Sequence, residues 1–168
     1  KKFHEAKACL IELEKKNLII RKKSSHLEKN YENIYFSLSQ VCAQLNELKN
    51  SIKYLIKHLS FYSKDVDALL NLANLYLKTH KIGDAEKIYK DILEIDKNYL
   101  PAIVNLAFLY EGVGNINNSI KYYKIAKKNN PNDLYYYYNL IRFNLKYLDE
   151  KEIEFIEKLY ESKKIEKK

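Results

Sequence analysis

Between Val66 and Asn129 apolar residues return every three or four positions: Leu69, Leu72, Ala73 and Tyr76, then Ala85, Ile88, Tyr89, Ile92 and Leu93. A strand would show them at every second position, so this spacing predicts helices with one buried face. The pattern gives segments of about 14 residues, a common helix length. Between them lie breaks containing His80–Gly83, Asp96–Asn98, Gly112–Asn115 and Asn129–Asp133, residue types that end helices or tolerate turns. Three glycines and two prolines in the whole chain are too few for a chain of β-turns. The expectation is an all-α fold.

The helices repeat in pairs. "NLANLY" at Asn71–Tyr76 returns as "NLAFLY" at Asn105–Tyr110, 34 residues later. Rows 32–65, 66–99, 100–133 and 134–167 then align. A first core column reads Tyr35, Leu69, Ile103, Tyr137, and a second reads Leu38, Leu72, Leu106, Leu140. Small residues Ser39, Ala73 and Ala107 stand beside the second column, followed by Cys42, Tyr76 and Tyr110. The second helix of each pair adds a small column, Ser51, Ala85, Ser119, and a bulky one, Leu55, Tyr89, Tyr123. Facing small residues let two helices approach closely while large ones fill the space beside them. Asn46, His80 and Gly114 share the inter-helix turn, where Asn and Gly suit a left-handed backbone.

These columns resemble the tetratricopeptide repeat (TPR) family over residues 32–147. Pro131 falls in the family's closing-proline place, whereas Lys64 and Lys97 stand there in the earlier rows. The resemblance implies an α-solenoid of stacked antiparallel helix pairs, a right-handed superhelix of about three full repeats (32–65, 66–99, 100–133, with 134–147 partial) plus flanking helices. Residues 1–31 read as a half-repeat helix, with Phe3, Ala6, Leu10 and Leu13 on one face, and a connection whose conformation over 17–31 the pattern leaves open. Residues 148–168 read as a charged closing helix, opened by an Asp-x-x-Glu capping box at Asp149 and Glu152.

In such a solenoid the first helices line a concave face, where the family holds an extended peptide or a partner helix. The resemblance points Ser37, Asn71, Asn105 and Asn139 toward that face, and side-chain amides suit the donors and acceptors of an extended backbone. Asn74, Phe108 and Arg142 form the neighbouring column with Gln40, and Tyr135 and Tyr138 add aromatic walls. The candidate peptide-binding set is therefore Asn71, Asn74, Asn105, Phe108, Tyr135, Tyr138, Asn139 and Arg142. Family members that grip chaperone C-terminal tails use a cationic carboxylate clamp. With Asn74 and Asn105 in its asparagine places, the cationic places read Leu70, Tyr135 and Asn139, which argues against that clamp.

Charge adds one alternative. The net charge is +8, and Lys53, Lys87 and Lys121 share a second-helix column that would form a basic stripe for an acidic partner or RNA. Yet the cations are nearly all Lys, with Arg only at Arg21 and Arg142, alongside many Asn, Tyr and Ile. Their shared A/T-rich codons explain that composition through an AT-rich genome, and the stripe lacks the interleaved aromatics of a base-stacking surface. Nucleic acid is accordingly the weaker partner.

Catalysis finds no support. His4, His26, His58 and His80 lie in separate segments, and no nucleophile–base spacing or Gly-rich phosphate loop occurs. Cys9 and Cys42 fit no metal or redox spacing and read as reduced, partly buried thiols of an intracellular, cytoplasmic or nuclear protein. No apolar run approaches the roughly 20 residues of a membrane span. No metal or cofactor is implied. The absence of Met and a start within a helical pattern suggest a segment of a longer protein. The expected function is a non-enzymatic protein–protein interaction scaffold within a multi-subunit complex. A regulatory TPR domain fused to an enzyme outside the segment is the remaining alternative.

Overall fold

The structure, a computed structural model, describes residues 2–21, 33–144 and 148–165. Among these it contains nine helices and no strand: α1 (Lys2–Arg21), α2 (Asn33–Gln44), α3 (Leu48–Leu59), α4 (Val66–Lys78), α5 (Ile82–Ile95), α6 (Leu100–Gly112), α7 (Ile116–Asn129), α8 (Leu134–Phe143) and α9 (Glu150–Ile165). They form two compact units, Lys1–Lys97 and Asn98–Lys168. Of the connection that the sequence leaves open, residues 17–21 belong to α1, and the remainder lies outside the described residues. Residues 145–147 of the partial repeat are likewise outside them.

One local device ends α2, α4 and α6 and turns each into the helix that follows. After α2 the amide of Glu47 donates to Cys42 O at 2.8 Å and that of Asn46 to Ala43 O at 3.0 Å. After α4, Lys81 and His80 bond Tyr76 O and Leu77 O, and after α6, Asn115 and Gly114 bond Tyr110 O and Glu111 O. This is the Schellman ending, whose turn residue must take a left-handed conformation. Asn46, His80 and Gly114 do so, with φ of 58°, 59° and 75°. The break around His80 is tighter than the sequence suggests, because Gly83 already lies in the first turn of α5.

In the first unit α2 pairs with α3 and α4 with α5, while α1 packs on α2 and α3 on α4. Leu55, Ala68, Leu72 and Leu75 form one buried cluster, and Ile34, Tyr35 and Leu38 form another, against which α1 lays Leu10 and Ile11. Lys7 of α1 pairs with Glu47 at the start of α3, and Glu14 pairs with Lys57 near its end. Two contacts in that order make α1 run parallel to α3, as the second helix of a preceding pair would. The small columns meet between α2 and α3, where Ser51 Oγ donates to Ser39 O at 2.7 Å. Cys42 is buried, but Cys9 is exposed, which corrects the expectation that both are partly covered. The outward side of α1 holds it there.

Asp65 links the two pairs of this unit. Its carboxylate accepts from the amides of Asp67 and Ala68, capping α4, and its other oxygen lies 2.8 Å from His58 Nε2. His58 is buried at the end of α3. Burial works to raise the Asp65 pKa, but the hydrogen bonds from His58 and from the two amides prevail and hold it below the ordinary value.

The second unit pairs α6 with α7 and packs α7 on α8. Ile103, Leu106, Ala107, Tyr123, Ala126 and Leu140 are fully buried. The expected capping box opens α9: Glu152 N donates to Asp149 Oδ1 at 2.8 Å, and Asp149 N to Glu152 Oε2 at 3.1 Å. Lys127 of α7 pairs with the same Glu152, and Phe155 meets the Tyr137 ring at 6.0 Å between centroids.

Candidate functional site

On α4, Asn71 and Asn74 lie three residues apart and so share a face. Both are half-buried, and both border a cavity of about 760 Å³ in the first unit. Gln40 and Gln44 of α2, one turn apart, supply amides from across it, Phe3 of α1 and Lys78 of α4 also line it, and the buried Ser51 and Leu55 come from α3. Asn74 is oriented from behind, because Tyr89 OH on α5 donates to its Oδ1 at 2.5 Å. Tyr89 is fully buried, so a core column positions a cavity amide. Gln44, Phe3 and Lys78 escape the column analysis. Gln44 has a sequence signal, its place one turn beyond Gln40, whereas Phe3 arrives only through the packing of α1.

The second unit presents rings instead of amides. Within "YYYY" Tyr136 and Tyr137 are buried, while Tyr135 and Tyr138 face outward, with Tyr138 63 % exposed. Phe108, 50 % exposed, stands where α4 has Asn74. Its ring lies 6.2 Å from that of Tyr135 and 6.4 Å from that of Tyr123, a spacing typical of stable aromatic contact. With Asn74 replaced by Phe108, the buried Tyr123 hydroxyl turns to Glu111 Oε2 at 3.3 Å, and Arg142 pairs with the same carboxylate. Burial first, then the neighbouring Tyr135 and Glu111, push the Tyr123 pKa far up, so it remains a donor.

The asparagine column divides. Asn105 on α6 is half-buried, as Asn71 is. Asn139 is only 3 % exposed, and its Nδ2 donates to Tyr135 O at 2.8 Å, back along its own helix. Its amide is spent on the backbone of α8 rather than presented on a surface.

Lys53, Lys87 and Lys121 are all exposed, but their helices differ in charge. α3 and α7 carry lysines without a single Asp or Glu, whereas α5 carries Asp84, Glu86, Asp91 and Glu94 around Lys87 and Lys90. Lys90 is paired with Glu86 at 2.6 Å. Among the described residues no group of three or more His, Cys, Asp or Glu side chains is placed to hold a metal ion, and no helix is long and apolar enough to cross a membrane.

The sequence profile of the tetratricopeptide repeat matches residues 66–99 and 100–133, the same rows that the columns define. Residues 66–133 carry two tetratricopeptide repeats. A TPR repeat-containing protein of Methanocaldococcus jannaschii is 29 % identical over 103 residues, covering 58 % of this chain and 32 % of that protein. The chain thus spans about a third of the length of this relative. Among solved structures, the MamA RS-1 ArsTM double mutant superposes with a TM-score of 0.65 at 18 % identity, covering 99 % of this chain and 95 % of that one. The Arabidopsis OM64 TPR domain gives 0.60 at 11 % identity, covering 67 % and 95 %. At these identities the structures establish the fold: an all-α solenoid of helix pairs. The tetratricopeptide repeats at 66–133 imply a protein–protein interaction scaffold.

Proposed function

We propose that this TPR segment holds an extended segment of a partner protein in the cavity bordered by α2 and α4. The observation that carries this reading is the set of four side-chain amides, Gln40, Gln44, Asn71 and Asn74, around one cavity of about 760 Å³. A side-chain amide carries a donor and an acceptor, the needs of a peptide unit; in Asn74 the oxygen already accepts from the Tyr89 hydroxyl. Each such bond contributes about 1 kcal/mol net, so the amides set register and apolar contacts add affinity. Phe3, Val41 and Leu77 supply apolar lining for alternate side chains of the bound segment. The volume falls within the range of small-ligand clefts, roughly 300–1,000 Å³, enough for a few residues rather than a folded domain.

Phe108, Tyr135 and Tyr138 offer the second unit a contact surface of its own, since exposed aromatics make good anchors. Asn139 drops out of the ligand-contacting set on account of its burial. The partner is a protein, and the segment acts as a scaffold without catalysis of its own.

A photo-crosslinking residue placed at Gln40 in cells of the source organism tests the reading. Adducts to a discrete partner should form, and the change Asn71→Ala should remove them. Adducts that persist in Asn71→Ala, or that form equally from the exposed Lys53, would overturn the cavity as the binding site.

A further inference from the structure

The cavity beside α4 has a charge bias. Helix α2 carries no charged residue. Helix α4 carries Asp67 in its first turn and Lys78 in its last, about 16 Å apart along the axis at the helical rise. Asp67 is not among the lining residues. Lys78 is, and among the described residues that line the cavity it is the one charged group. The acidic side chain that follows α2 in sequence, Glu47, is occupied by Lys7 and by Asn50 Nδ2 at 2.8 Å. Lys78 itself is exposed at the end of its helix.

Amides and hydroxyls make up the rest of the polar lining, and they accept either sign of charge. A cationic side chain entering the cavity meets no carboxylate among the described lining residues and faces Lys78. A neutral one gains no electrostatic contact. A carboxylate gains one and, among the described residues, displaces no acidic partner of Lys78.

We infer that the cavity selects a partner segment bearing an Asp or Glu side chain at the position that passes Lys78. This rests on the reading of the cavity as a peptide groove and adds the ligand's charge to it. The recognised group is one side-chain carboxylate met by one lysine, unlike the multi-cation clamp for a chain terminus, whose places this sequence fills with Leu70, Tyr135 and Asn139. Because Lys78 is exposed, the contribution is modest and screened by salt.

The test uses the whole 168-residue chain and three capped probe peptides of about eight residues, mostly Ala and Ser, with Glu, Gln or Lys at a central position; a peptide that long spans roughly 27 Å when extended. Fluorescence anisotropy at low ionic strength should rank them Glu, then Gln, then Lys, with roughly threefold steps, the size of an exposed ion pair. Lys78→Gln should erase the ranking and Lys78→Glu should reverse it. Circular dichroism on each variant checks that the helices persist, as expected for an exposed site.

Equal affinity for the Glu and Gln peptides, or an unchanged ranking in Lys78→Glu, overturns the charge selection. The change Asn71→Ala separates this from the parent reading. Weaker binding of all three peptides supports the groove whatever the ranking. A ranking that survives while Asn71→Ala leaves every affinity unchanged overturns the groove. Failure of every peptide to bind overturns both.

Discussion

The two units use the same packing columns and expose different chemistry. In the first, Asn74 meets the Tyr89 hydroxyl and lines an amide cavity. In the second, Phe108 occupies the matching place, the Tyr123 hydroxyl moves to Glu111, and the exposed surface is aromatic. A core column is satisfied locally in both cases, because a buried tyrosine hydroxyl needs a partner wherever one is offered. The columns therefore constrain the inside of each pair tightly and leave the first-helix surface able to vary. A scaffold built this way can change what it recognises without changing how it folds.

The strongest way to break the comparison is through the shared core. Leu38 in the first unit and Leu106 in the second are both fully buried at the same column. Either change to Ala should cost about 2–5 kcal/mol in chemical denaturation. If one unit tolerated its change within about 0.5 kcal/mol, the expected range for a surface site, the two would not be equivalent repeats.

Asp65 tests what is particular to the first unit. Asp65→Ala should cost about 1–2 kcal/mol, since the cap of α4 and the His58 contact go together. The sign with pH follows from its depressed folded pKa. The contribution is full above the ordinary carboxylate value of 3.8 and is lost as pH falls through the lower folded value. Acid titration of stability should therefore be shallower in Asp65→Ala than in the parent; an identical acid limb would remove Asp65 from the account.

The smallest effect sharpens the comparison most. Ser51 and Ser119 share the small column and are both buried. Ser51 Oγ donates to Ser39 O, whereas Ser119 Oγ has no hydrogen-bond partner among the described residues. Ser51→Ala should destabilise by about 1 kcal/mol, and Ser119→Ala should be neutral or slightly stabilising. Equal losses in thermal or denaturant melts would show that the two hydroxyls have equivalent environments.

Much of the fold was legible because the evidence for it is local and repeated. Columns such as Leu38, Leu72, Leu106 and Leu140 recur at one spacing, and burial follows helical period. The turn signal of Asn46, His80 and Gly114 was legible for the same reason: a Schellman ending needs one left-handed residue at a fixed place. The site was less legible. Asn71, Asn105 and Asn139 look identical in register, yet Asn139 is buried and bonded to its own helix. Phe3 gave no sign of lining a cavity, because its place depends on α1 docking beside α2.

By itself the sequence determined the helix pairs, their spacing and their core, since each follows from side-chain size repeated at helical period. Tertiary structure decided which polar groups of one column reach a surface, where a cavity opens and what charge borders it. Those properties depend on neighbours distant in sequence: α1 beside α2, Tyr89 behind Asn74, Glu111 between Tyr123 and Arg142. Periodicity along one helix carries no record of them.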